Sequence, residues 1–324
     1  MQDWFKKWWP WLKILIFLSI LVAVGYYFWK ILKAVPSEAD RSPIQILWDE
    51  ATKAHWTSIL SSGMLYLVGM GFAATFWAWL MRILNQPMSL TTTLKGYYIS
   101  QLGKYVPGKG LALVLRASYA SDGGARPGIA VLAAIYETLT LMACGSMLAV
   151  ILLPVLAKDQ GKLIWSVLAL LAVAGIPIIP GVFNQIVKRL GGKFLQGEEI
   201  PRLSTTNLLS GLGLTSVGWL VLGASFFMLW HGVYPETISF SLRDWMICVG
   251  VVAISYVAGF LALFTPGGLG VREILLQQLL QPRLGPKAVV LVLLLRLLWT
   301  VAEIVISGVL IWLPSSSLQP QQES

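Results

Sequence analysis

Long apolar runs, separated by clusters of polar and charged residues, organise this chain. Seven of them are poor in charge, at residues 11–33, 59–83, 128–153, 162–183, 205–230, 243–264 and 287–313. Each is long enough for a transmembrane helix, which needs about 20 apolar residues to cross the hydrocarbon core. No stretch between them holds a soluble domain of ordinary size, roughly 100 residues or more. The pattern predicts an all-α integral membrane protein with about seven transmembrane helices. It forms a single polytopic domain over 1–324, with an embedded core at 11–313 and a polar C-terminal tail at 314–324.

Two stretches depart from the simple span. Residues 88–120, "MSLTTTLKGYYISQLGKYVPGKGLALVLRASYA", are moderately apolar and split by Pro107, Gly108 and Gly110. Residues 254–281, "ISYVAGFLALFTPGGLGVREILLQQLLQ", are split by Pro266, Gly267, Gly268 and Gly270. Each break follows an apolar helix, precedes basic residues and has a tyrosine ten positions before its proline, Tyr97 and Tyr256. The shared pattern predicts two Pro-Gly-interrupted, re-entrant hairpins and suggests an internal repeat. Lipid cannot satisfy backbone groups freed at such a break, so it must be buried in protein or line a wet cavity. Half-helix N-termini and glycine-rich backbone are suited to anions. With Lys104, Lys109, Arg116 and Arg272 nearby, both breaks fit a phosphate. The plainer alternative is a pair of turns at the membrane surface with solvated lysines.

The first break also imitates a nucleotide loop, because Gly103 to Lys109 fits G-x-x-x-x-G-K. A true P-loop needs a hydroxyl after the lysine and a strand before it. Gly110 and "TTTLKGYYIS" supply neither, and the phosphate, if any, is not that of a nucleotide.

Composition agrees with the apolar pattern: 56% of residues are hydrophobic and 12% charged, against about 25% charged in soluble domains. The first run is too long for a secretory signal, lacks a small-residue cleavage site and reads as an uncleaved anchor. Trp8, Trp9 and Trp11 at its start and Trp29 near its end suit the two bilayer interfaces. The net charge of +9 could indicate nucleic acid, but its distribution indicates topology. With the N-terminus cytoplasmic, sixteen basic residues fall on the inner side and seven on the outer, as the positive-inside rule prefers. On the outer side, "IQILWDEATKAHW" reads as a short surface helix.

Cys144 and Cys248 lie in apolar segments and imply no disulfide. His55 and His231 are isolated, so neither a metal nor another cofactor is expected. Three intramembrane charges stand out. Glu137, in "AAIYETLTLM", lies about nine residues, or roughly 13 Å, into its segment. Arg296 and Glu303 sit in the last segment, and their spacing of seven puts them on one helical face. Such charges line pathways or pair. Arg296 could pair with Glu137 or Glu303 merely to fix helix packing.

"ISQLGKYVPGK", the acidic "YETLTL" segment and "TPGGLGVRE" resemble, in this order, motifs in the membrane domain of lysylphosphatidylglycerol synthases and in related stand-alone flippase-like proteins. The similarity runs over about residues 11–313. It implies lipid translocation between the leaflets of a bacterial inner membrane, of an anionic or modified phospholipid or a lipid-linked carrier. The soluble aminoacyl-transferase domain of full-length synthases has no counterpart in these residues, so the chain is not expected to make the lipid. The headgroup site expected from the breaks, the charges and the resemblance comprises Lys104, Tyr105, Pro107, Gly108, Lys109, Arg116, Glu137, Pro266, Gly267, Gly268, Gly270, Arg272, Glu273, Arg296 and Glu303. In it the basic groups would face phosphate, while Glu137, Glu273 and Glu303 meet a cationic group or close salt bridges. Two other readings stay open: an intramembrane lipid-phosphate transferase, and a lipid-binding subunit that docks a soluble lipid-modifying synthase through "VKRLGGKFLQGEEIPRL". The sequence sets no oligomeric state.

Overall fold

A computed structural model describes residues 22, 25, 26, 29, 43–105, 110–156, 161–194, 201–262, 268 and 270–313. Helices joined by short turns make up these residues, with no strand among them. Five helices are long and apolar enough to cross a bilayer, the make-up of a multi-pass membrane protein. They are α2 (Trp56–Ile83), α5 (Pro127–Leu156), α8 (Thr205–Val233), α9 (Leu242–Leu261) and α11 (Lys287–Trp312). Five of the seven expected segments therefore coincide with long helices.

The other two differ. The first run, 11–33, lies almost wholly outside the described residues; of its four described positions, Val22, Tyr26 and Trp29 are exposed apolar side chains. The run 162–183 is not one straight helix. It divides into α6 (Gly161–Gly175) and α7 (Pro180–Phe194), and the two axes bend by 73° between Leu171–Ile178 and Pro180–Arg189. Pro177 and Pro180 explain the break, because proline removes a helical donor and clashes with the preceding turn. At 1.5 Å per residue, α6 extends only roughly 22 Å, less than the hydrocarbon thickness of about 30 Å.

The remaining elements are short. Helix α1 (Pro43–Lys53) forms where a surface helix is expected, and its Leu47 packs on Val290 and Leu293 at the start of α11. Helix α3 (Leu90–Leu94) passes into a π-helical turn at Lys95–Ile99 and a 3-10 turn at Leu102–Tyr105. Helix α4 (Gly110–Asp122) follows the first break, and α10 (Val271–Leu284) follows the second. Serine side chains cap three helix starts: Ser89 accepts from the Thr92 N–H, Ser204 from Asn207 and Ser241 from Asp244. Each meets one of the N–H groups that a helix start leaves without an internal partner.

Small residues hold the bundle together. Helices α2 and α8 cross where Gly69 faces Gly218, and a Cβ on Gly218 would lie 3.1 Å from the Gly69 carbonyl oxygen. One turn or more away, Ser225 donates to the Ser62 carbonyl at 2.8 Å and accepts from the Trp299 indole at 3.0 Å, linking α8 to α2 and α11. This is the packing expected where lipid supplies no hydrophobic drive and close backbone approach must. Helix α11 is turned inside out relative to a soluble helix. Arg296, Thr300, Glu303 and Ser307 are buried, while Val301, Val305 and Val309 are exposed along the opposite face.

The glycine crossings make a direct prediction. A Cβ at Gly223 would lie 2.7 Å from the Val249 Cα, so Gly223→Ala must push α8 and α9 apart. It should lose about 1–3 kcal/mol and melt at a lower temperature in detergent. Gly213→Ala, whose Cβ meets nothing within 4 Å, should melt within a degree or so of the parent, apart from the general preference of helices for alanine.

Candidate functional site

The first break is assembled by a change of helical winding. A π-turn carries one extra residue per hydrogen-bonded ring and is common at functional positions. Here it sets Tyr97 inward, 1% exposed, with its ring beneath the Arg116 guanidinium at 4.5 Å. The following 3-10 turn brings Gly103 against the start of α4, where a Cβ would lie 2.5 Å from the Ala112 nitrogen. Only glycine permits that approach. The chain thus doubles back, and α4 runs beside the π-turn it has just left.

The second break is built alike. Gly268, at φ +77°, sits against Gly259 so closely that a Cβ would be 2.7 Å from the Gly259 carbonyl oxygen. Helix α10 then turns back along α9, and Arg272 in its first turn stacks on Tyr256 of α9 at 3.9 Å and on Trp299 of α11 at 5.1 Å. Arg116 has the corresponding arrangement, on Tyr97 and on Trp77 of α2 at 5.2 Å. In each hairpin an arginine after the break lies on the tyrosine before it and on a tryptophan from a long helix.

A cavity of about 270 Å³ separates the two hairpins. Lys104, Arg116, Glu137, Gly268 and Arg272 of the expected site line it, together with Tyr97, Gln101 and Tyr256. Thr138 also lines it, and the rest of the wall is apolar and includes Met70, Leu113, Leu141 and Phe260. Ile135, also in the wall, is 37% exposed on the outer surface of α5, so the cavity reaches the apolar exterior of the bundle.

Ion pairs form a layer around this space. Glu137, 1% exposed, accepts from Arg116 Nη1 at 2.7 Å and from the hydroxyls of Tyr97 and Thr138, each at 3.3 Å. Arg116 Nε donates to Ser100 at 3.3 Å. Glu303, equally buried, accepts from Tyr66, Lys104 and Tyr105, and Tyr105 also bonds Thr300 at 2.8 Å. Arg296 Nε meets Glu273 Oε1 at 2.7 Å. The other Glu273 oxygen accepts from the Gly270 N–H at 2.8 Å, as in a capping box.

Several expectations are corrected by these contacts. Arg296 pairs with neither Glu137 nor Glu303. Seven residues along α11 amount to roughly 10 Å, so its two charges meet different hairpins: Glu303 the 3-10 turn, Arg296 the start of α10. Of the two roles expected for Glu273, the contacts are those of a closed salt bridge: it caps α10 and neutralises Arg296. In doing so it occupies the Gly270 N–H, which was expected to face a phosphate. Arg116 likewise donates from Nε to Ser100 and from Nη1 to Glu137. Tyr105 supports Glu303 instead of lining the cavity. Pro107, Gly108, Lys109, Pro266 and Gly267 lie outside the described residues.

Arg272 is the exception. It is 5% exposed, stacks on two rings and lines the cavity, yet among the described residues no carboxylate lies within 4.0 Å and no hydrogen-bond acceptor meets it. Stacking occupies the faces of a guanidinium and leaves its edge of N–H donors for a planar or bidentate acceptor. Cation–π attraction of about 0.5–2 kcal/mol is smaller than the several kcal/mol that burying an ion costs. Among the described residues Arg272 is thus a buried cation of the site that faces the cavity with no carboxylate on its edge.

Trp77, Trp299, Tyr66 and Gln101 were not foreseen. A mid-helix tryptophan has the same sequence signature whether it packs in the core or under a cation. The tyrosines ten residues before each proline were the one available signal. Comparison with known proteins matches the chain to no family model and to no curated protein.

The Arg116–Glu137 pair should behave as a unit. Arg116→Met leaves Glu137 buried without its cation and should cost about 3–5 kcal/mol in equilibrium unfolding from detergent. The double variant Arg116→Met/Glu137→Met should recover most of that loss; a double variant as unstable as the single one would show that the pair is not coupled.

Proposed function

We propose that this chain is a lipid flippase-like transporter, a stand-alone relative of the membrane domain of lysylphosphatidylglycerol synthases. It carries an anionic or modified phospholipid, or a lipid-linked carrier, between the leaflets of a bacterial inner membrane. In this reading seven spans enclose two re-entrant hairpins, and the N-terminus faces the cytoplasm, where the positive-inside rule puts the more basic loops. The observation that carries the proposal is Arg272: a buried cation with no carboxylate within 4.0 Å among the described residues, facing a cavity inside an apolar bundle.

The physical task of such a protein is to lower the barrier for a polar headgroup in hydrocarbon, where an uncompensated charge costs several kcal/mol or more. Arg272 offers the phosphate a partner that gains as much from the meeting as the phosphate does. Lys104, Gln101 and Tyr97 add polar groups around it. A volume of about 270 Å³ lies near the lower end of ligand pockets, roughly 300–1,000 Å³, and so suits a headgroup without its acyl chains. The chains would stay in lipid, past the half-buried apolar wall at Leu113, Ile135 and Phe260. The hairpins supply the conformational element, because each depends on a glycine crossing and not on a continuous helix.

The test is leaflet transfer in proteoliposomes. Parent protein should move a fluorescent phosphatidylglycerol analogue between leaflets, and Arg272→Gln should slow the transfer roughly tenfold or more, since it removes a charge-assisted, bidentate contact. Lys53→Gln, on the exposed helix α1, should transfer at the parent rate. Unchanged transfer by Arg272→Gln would remove this site from the mechanism.

A further inference from the structure

The two hairpins place the same construction, an arginine stacked on a tyrosine and on a tryptophan, at the wall of one cavity. They differ in one respect. At Arg116 the edge of the guanidinium meets the Glu137 carboxylate at 2.7 Å; at Arg272 the corresponding edge meets no carboxylate among the described residues. Glu137 thus stands in relation to Arg116 where a ligand anion would stand in relation to Arg272.

We infer that Glu137 is a built-in counter-anion that silences one of two equivalent anion sites, so that the cavity selects a headgroup bearing a single negative charge, a phosphodiester, over a phosphomonoester or pyrophosphate. This rests on the lipid-headgroup reading above and adds the charge class of the headgroup to it.

Charge balance carries the argument. Around the cavity, Lys104 is neutralised by Glu303, Arg116 by Glu137 and Arg296 by Glu273. Arg272 remains, so the described cluster has a net charge of one positive unit. A phosphodiester monoanion balances it. A phosphomonoester carries about −1.5 to −2 at neutral pH and would leave excess negative charge beside the buried Glu137. That excess cannot be relieved by moving Glu137 away, because the carboxylate is fixed on three sides by Arg116, Tyr97 and Thr138. Nor can Lys104 readily be released, since Glu303 would then be left with only hydroxyl donors. Unpaired buried charge is the more expensive outcome in either case.

Changing one carboxylate to an amide should therefore change the charge preference. Glu137→Gln retains one acceptor oxygen, for either Tyr97 or Thr138, which lie on different oxygens of the carboxylate, but frees Arg116 of its counter-charge, giving the cavity two unbalanced cations. It should take the dianionic headgroup that the parent rejects.

The experiment is native mass spectrometry of the full chain in detergent, titrated in parallel with phosphatidylglycerol, phosphatidic acid and inorganic phosphate. The parent should retain one phosphatidylglycerol per chain and bind phosphatidic acid roughly tenfold or more weakly. Glu137→Gln should abolish or reverse that preference, and Arg272→Gln should lose phosphatidylglycerol. Equal or tighter binding of phosphatidic acid by the parent overturns the inference while leaving a headgroup site in place. That comparison needs no variant and stands even if Glu137→Gln fails to fold. Unchanged lipid preference in a folded Glu137→Gln also overturns it. Retention of neither lipid overturns the transport reading itself, and retention of inorganic phosphate alone assigns the site to a free anion and overturns both.

Discussion

An ion removed from water into an apolar bundle must find an opposite charge or donate and accept enough hydrogen bonds to replace its hydration. That constraint explains the arrangement of this protein's interior better than hydrophobic burial does. Glu303 ties the 3-10 turn to α11, Glu137 ties α4 to α5, and Glu273 ties α10 to α11. Each pair fastens part of a doubled-back hairpin to a long helix. Buried pairs of this kind contribute little net stability relative to well-packed apolar side chains, but losing one partner is expensive. Their effect here is positional, since each hairpin has only one arrangement in which its charges are met. Arg272 gives the same constraint an outward direction, because what neutralises it is not a described part of the protein.

The backbone makes this geometry available. Two segments fold back on themselves at Gly103 and at Gly268, where any side chain would collide with neighbouring backbone, that of Ala112 and that of Gly259. The tight crossings bring the stacked arginines to one cavity although they lie far apart in sequence. Winding changes from α to π to 3-10 between Leu90 and Tyr105, which turns Tyr97 and Gln101 toward the cavity and Lys104 toward both the cavity and Glu303. Helix α11 is the frame for both hairpins: one face contributes Arg296, Thr300 and Glu303, and the other presents valines to the exterior.

Much of the helical framework was legible in the sequence, because an apolar run of membrane length has few alternatives. The division at 162–183 was legible in principle through Pro177 and Pro180, but hydropathy averages over a bend. The intramembrane charges were legible as exceptions, and so was the basic residue after each break. Their pairing was not. Spacing places Arg296 and Glu303 on one face, yet cannot say that one meets α10 and the other the turn at Lys104. Nor could it tell Arg116 from Arg272, since both follow a Pro-Gly break and both have a tyrosine upstream. What separates them is Glu137 on a different helix, a tertiary fact without a local signature. The charge balance of the cavity, read from the tertiary pairing, is what distinguishes them physically.

The central claim is that the partner of Arg272 is a ligand phosphate. An experimental structure of the chain purified with its native lipid tests it most directly. The account predicts density for a phosphate in the cavity, lying in the plane of the Arg272 guanidinium within hydrogen-bond distance, with Glu137 still on Arg116. A structure in which Arg272 is paired with one of the protein's own carboxylates, and the cavity holds no phosphate, would contradict it.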